Sequence, residues 1–177
     1  AIDLRRSTLL ADELRARKTY LMAHTLLPTL AHVCEKMSGS VMNFRGDGLF
    51  ASFQLKKKRV QTDNPTQAVI ETAHREAVVC GLALIEATQG AVEPILRDEG
   101  IDVSLDVGVG VDSGEVVVTR VGWMSAHELT AYGTPVNTAC HLSDGTNCVR
   151  LSPRLRRASP PRSTMTTRSR VNSTPSA

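Results

Sequence analysis

The chain has 177 residues, 41% of them hydrophobic and only 3% aromatic, which suits one domain with a core of Val, Leu, Ile and Ala. No apolar run approaches the roughly 18 residues of a membrane span, and AIDLRRSTLL lacks the order of a signal peptide, so no membrane partner is expected. The net charge of +3 does not mark a nucleic-acid binder: six Arg and no acid fall in residues 153–177, leaving 15 bases against 18 acids elsewhere.

In chain order, AIDL reads as a strand with Asp3 near its end, and a helical stretch runs from about Leu9 to Lys36. Pro28 is expected to start, kink or break a turn within it. Residues 43–53, NFRGDGLFASF, place Asp47-Gly48 between two apolar runs, the signal of a tight hairpin with a type I′ turn. Lys56, Lys57, Lys58 and Arg59 read as a solvated connection. Asn64, Pro65 and Gln67 carry cap, first-turn and capping-box chemistry for a second helix. Val69, Ala73, Ala77, Cys80 and Leu84 mark its inner face.

Ile101, Val103, Leu105, Val107 and Val109 alternate as a half-buried strand does. A turn at Asp112-Ser113-Gly114 leads to EVVVT, residues 115–119. ELTAY reads as a short strand, Pro135 opens a helix to about Ser143, and CVRLS is a last strand. The order predicts an α+β, ferredoxin-like βαββαβ domain with a C-terminal β-α-β extension over residues 1–152. Residues 153–177, rich in Ser, Thr, Arg and Pro, read as a disordered tail. Cys34, Cys80, Cys140 and Cys148 form no CxxC pair, which argues against zinc or a disulfide framework and for buried thiols in a reducing cytoplasm.

Three segments in this order, IDLRRST, FRGDGLFASF and VGVGVDSGEVVVTRVG…ELTAYGTPVNTACHL, resemble the catalytic domain of class III nucleotide cyclases. The resemblance implies two divalent cations, Mn2+ or Mg2+, held by Asp3, the Leu4 carbonyl and Asp47. Such ions suit a reaction in which a ribose 3′-hydroxyl attacks the α-phosphate and pyrophosphate leaves. It also implies that Arg5, Arg6, Ser7 and Thr8 wrap the phosphates at a helix start, and that Asn137 orients the ribose. Ser7 or Thr8 as an ordinary helix cap is compatible with that role.

Departures from the family pattern point further. His141 stands where the family has a transition-state Arg, and the family's late Lys has no clean equivalent. The base-reading pair is Asn43 and Thr130, which meets neither the adenylate nor the guanylate code. Arg45, expected to share a strand face with Asn43 and Asp47, could donate to a pyrimidine carbonyl. This combination resembles the pyrimidine cyclases of bacterial anti-phage (Pycsar) systems. It implies UTP as the favoured substrate, cyclic UMP sensed by a separate effector protein, and a homodimer with sites at its interface. An adenylate cyclase and a degenerate nucleotide-binding or dimerisation module are the alternatives.

Overall fold

A computed structural model describes residues 1–53, 67–123 and 126–158. The expected connection at Lys56–Arg59, the cap at Asn64 and Pro65, and the tail from residue 159 onward lie outside the described residues. Strand β1 (Ile2–Leu4) leads into α1 (Ser7–Lys36), then the hairpin of β2 (Ser40–Arg45) and β3 (Gly48–Ser52). Helix α2 (Gln67–Ala87) passes through one π-helical turn (Thr88–Val92) into α3 (Glu93–Asp98). Then follow β4 (Val107–Val111), β5 (Val117–Trp123), β6 (Ala126–Tyr132), α4 (Thr134–Leu142), β7 (Cys148–Leu151) and α5 (Pro153–Ala158).

The main sheet has the order β2-β3-β1-β4-β7. Its first four strands have the ferredoxin-like arrangement, with β1 antiparallel to both β3 and β4. Strand β7 adds in parallel beside β4. Strands β5 and β6 form a separate antiparallel arm. One sheet face carries the main core, in which Ile2, Leu4, Leu49, Val107 and Val109 meet Leu26, Leu30, Leu84 and Leu96 of the helices. On the other face Met42 and Phe50 pack with Ala131 and Val136.

Several expectations change. The ladder of the predicted strand at 101–109 covers only Val107–Val111. Ile101 and Leu105 are buried all the same, so the alternation recorded burial rather than strand pairing. The second strand begins at Val117 rather than Glu115 and runs to Trp123. Pro28 lies inside α1 without ending it, and the non-helical backbone falls at Arg15 (φ 60°) instead. Of the four thiols, Cys34 and Cys80 are buried with sulfurs 3.9 Å apart, and the hydrogen bond with Cys80, together with burial, pushes the Cys34 thiol up. Cys140 and Cys148 are half-buried.

Helix α5 begins inside the segment read as tail, because Leu155 is apolar and 2% exposed. The run Gln67–Asp98 is long and apolar enough by composition to cross a membrane. Its Cys80, Leu84, Val92 and Leu96 are nevertheless part of the core packed on α1 and the sheet. The arm leaves Val117, Val121, Trp123 and Tyr132 exposed.

Candidate active site

Asp3 sits in the middle of β1, with its neighbours Ile2 and Leu4 turned into the core. Alternation therefore turns Asp3 to the opposite face, where it is half-exposed and ion-paired to Arg5. Register brings the hairpin tip to the same place: Ile2 pairs with Leu49, so the next step along β1 sets Asp3 beside Gly48. A Cβ on Gly48 would stand 2.2 Å from the Ile2 carbonyl oxygen and 3.2 Å from the Asp3 Cα. Glycine is thus what lets the tip lie against β1. Asp47 precedes it in a two-residue loop closed by the Arg45–Gly48 pair.

The turn differs in type from expectation. Gly46 has φ 59°, while Asp47 is not among the positive-φ residues. Positive φ at the first loop position alone is the pattern of a type II′ turn. Asp47 is half-buried and remains at the tip.

After Asp3 the chain turns through Arg6 in the left-handed region (φ 56°), and α1 starts at Ser7. No side chain caps this helix start and its first turn holds no acid, so the hydroxyl cap by Ser7 or Thr8 does not form. The first N–H groups are left for an external acceptor, the property that suits a helix start to anions. Arg5 N–H is tied to the Asp106 carbonyl at 2.7 Å. The Arg6 guanidinium lies 3.5 Å from the Asp106 carboxylate.

Asn43 is 9% exposed and its Oδ1 has no hydrogen-bond partner. The strand irregularity between Val41 and Asn43 re-aims it. Arg45 is exposed, lies 5.9 Å from the Phe50 ring centroid, and donates to Cys140 Sγ at 3.8 Å. Thr130 is half-buried on the arm, opposite Thr119.

Helix α4 rests on β4 because glycines there admit it: a Cβ on Gly110 would meet the Ala139 carbonyl oxygen at 1.9 Å. The buried side of α4 is Pro135, Val136 and Ala139. Asn137 and His141, four residues apart and so on one face, are both exposed. Among the described residues no hydrogen bond or ion pair links either of them to Asp3 or Asp47. A mostly apolar cavity of about 400 Å³ is lined by residues such as Met42, Phe50, Ala77, Leu84, Ala131 and Val136; neither Asp3 nor Asp47 lines it.

No protein-family model matches the chain. A uridylate cyclase of Rhodovulum sp. (strain MB263) is 24% identical over 148 residues, 80% of this chain and 55% of the relative. The chain thus spans about half the length of that curated relative. The crystal structure of the guanylyl cyclase Cya2 matches with a TM-score of 0.72 at 23% identity, over 89% of this chain and 74% of that one. The adenylyl cyclase CyaB from P. aeruginosa matches with a TM-score of 0.72 at 21% identity, over 89% and 76%. The fold is that of a class III nucleotide cyclase domain.

In this cyclase fold the donors near the hairpin tip fit hard divalent cations. Asp3, Asp47 and the Leu4 carbonyl are all oxygen ligands, and Asp3 already attracts a cation in the form of Arg5. Among the described residues no group of three or more His, Cys, Asp or Glu could hold an ion. Asp3, Asp47 and the Leu4 carbonyl would hold part of the coordination shell of such an ion, and nucleotide oxygens and water would complete it.

Two polar residues at the site escaped the sequence reading. Asp106 accepts from Asn147 Nδ2 at 2.6 Å as well as facing Arg6. Asn147 adopts φ 46°, and its Oδ1 accepts the Val107 N–H at 3.1 Å. Asp106 looks like any polar position in an alternating strand. Only the αL preference of Asn in GTN hinted at its partner.

Proposed function

We propose that this chain is a nucleotide cyclase domain that converts a pyrimidine nucleoside triphosphate, UTP favoured, to its 3′,5′-cyclic monophosphate and pyrophosphate. The observation that carries this reading is the β1–β3 register, which brings Asp3 and the Asp47 turn to one edge beside an uncapped helix start. Divalent cations held by Asp3, Asp47 and the Leu4 carbonyl would activate the 3′-hydroxyl and neutralise the triphosphate. The free N–H groups of Ser7 and Thr8, with Arg5 and Arg6, receive phosphate oxygens. Asn137 orients the ribose, and His141 donates to the phosphate where the family has Arg.

The choice of base rests on Asn43 and Arg45. The unpartnered Oδ1 of Asn43 can accept from the N3–H of uracil. A buried acceptor left unpaired carries a penalty that a matching base removes. Arg45 supplies a donor for a pyrimidine carbonyl, and the relative's name, uridylate cyclase, points the same way.

On this reading a homodimer supplies both halves of each site, the acids from one chain and Asn137 and His141 from the other. The exposed apolar side chains of the β5–β6 arm favour that assembly, since soluble monomers rarely leave such patches open. A cytoplasmic enzyme whose product is sensed by a separate effector protein in anti-phage defence is the biological setting that the resemblance suggests.

Incubating the purified protein with each of the four NTPs and Mn2+ tests the reading. Cyclic UMP as main product supports it, and cyclic AMP would move the assignment to an adenylate cyclase. No product from any NTP would leave a silent nucleotide-binding or dimerisation module, the reading favoured by His141 in the place of Arg.

A further inference from the structure

The Asp3 carboxylate has a tenant. Arg5 lies in the turn just past the end of β1, and its guanidinium sits on the carboxylate. The Arg5 side chain is 23% exposed and that of Asp3 35%. Arg5 Nε is buried and has no acceptor, so only part of the fork is in use. The backbone beneath is fixed, because Arg5 N–H is bonded to the Asp106 carbonyl at 2.7 Å. Arg6 faces the Asp106 carboxylate instead, which leaves Asp3 and Arg5 as partners of each other.

A carboxylate whose lone pairs face a guanidinium cannot offer them to a metal ion. The pair is half-open to water, however, and such pairs are weak and easily exchanged. A divalent ion brings twice the charge of the guanidinium to the same oxygens. The displaced arginine then has all five N–H donors free, next to the uncapped start of α1. Its planar fork can hold phosphate oxygens in the same two-pronged way as a carboxylate.

We propose that Arg5 is an exchangeable counter-cation of the metal site: it occupies Asp3 until a divalent ion displaces it, and the freed guanidinium then engages the triphosphate. This rests on the reading of Asp3 and Asp47 as metal ligands. Arg5 therefore opposes metal binding when nucleotide is absent and couples metal binding to nucleotide binding when both are present. The two ligands assist each other through one side chain, a coupling that must be reciprocal.

The test measures Mn2+ binding by electron paramagnetic resonance, with and without 3′-deoxy-UTP, which cannot cyclise. It uses the full chain, its Arg5→Ala and Arg5→Lys variants, and Asp47→Asn as a marker of the site, with melting curves to confirm folding. Without nucleotide, Arg5→Ala is expected to tighten Mn2+ binding about fivefold, the scale of a half-exposed ion pair. With the analogue, the gain in Mn2+ affinity seen in the unaltered chain is expected to shrink about tenfold. Arg5→Lys keeps the charge and loses the fork, so it should restore opposition to the metal and not the coupling. Mn2+ binding that depends on Asp47 but is unchanged or weakened by Arg5→Ala overturns the exchange and leaves the metal site standing. Absence of Asp47-dependent Mn2+ binding in every variant overturns the metal site, and the exchange with it.

Discussion

The two halves of the candidate site are built in different ways. The acid half is locked into the main sheet: β1 lies between β3 and β4, and the hairpin tip touches it through a glycine that leaves no space for a side chain. The other half hangs outside. Asn137 and His141 ride the open face of α4, and the β5–β6 arm next to it presents Val117, Val121 and Tyr132 to solvent. Register brings Asp3 and the Asp47 turn to one edge within a single chain. On the proposed reading, the α4 half is completed by a second molecule.

The comparison breaks most sharply at Asp47. Asp47→Ala should lower turnover by about a thousandfold, the scale of several kcal/mol of lost charge stabilisation, with circular dichroism unchanged. Activity near that of the unaltered protein would remove Asp47 from the metal site. Next comes complementation. If the halves meet across a dimer, a mixture of Asp47→Ala and Asn137→Ala chains should recover about a quarter of full activity, since half the dimers then hold one intact site of two. A mixture as silent as its parents would place both halves in one chain.

Gly48→Ala probes the lock itself. Its Cβ meets the backbone of β1, so thermal melting should report a loss of about 2–4 kcal/mol; a variant as stable as the original would show that the tip stands free. Exchanging Asn43 for Ala should alter the ranking of the four NTPs by about tenfold, the scale of one unpaired buried acceptor, with less effect on total rate. An unchanged profile in product analysis would take Asn43 out of base reading.

The smallest effect is one of pH and lies away from both halves. Burial pushes the His74 imidazole below its ordinary value of 6.5, with Glu71 opposing. The unfolded chain therefore binds the proton more readily, and this contribution to stability is full above the ordinary value and lost as pH falls below it. His74→Gln should flatten the melting temperature over that acidic window; an identical pH slope would show that His74 does not contribute.

What the sequence made legible follows from how local each signal is. The strand at Ile2, the hairpin and the helix after Pro135 each rest on contiguous residues, and each is present. Residues 101–106 misled because alternation records burial, and a chain can lie along a core without pairing. The reach of α5 into the expected tail hangs on one residue, Leu155, amid Arg, and composition outweighs a single anchor. At the site, the family pattern singled out Asp3 and Asp47, whereas nothing in the sequence signalled the Arg5–Asp3 pair or the Asp106–Asn147 bond. The first depends on how the chain turns after β1, and the second joins residues 41 apart in sequence, so neither is written in residue type alone.

The open arm has one practical consequence. Trp123 is the chain's single tryptophan and is 78% exposed at the end of β5. An indole in water emits at longer wavelength than one covered by protein. The colour of this molecule's intrinsic fluorescence therefore reports whether the arm is bare or sheltered, with no dye attached.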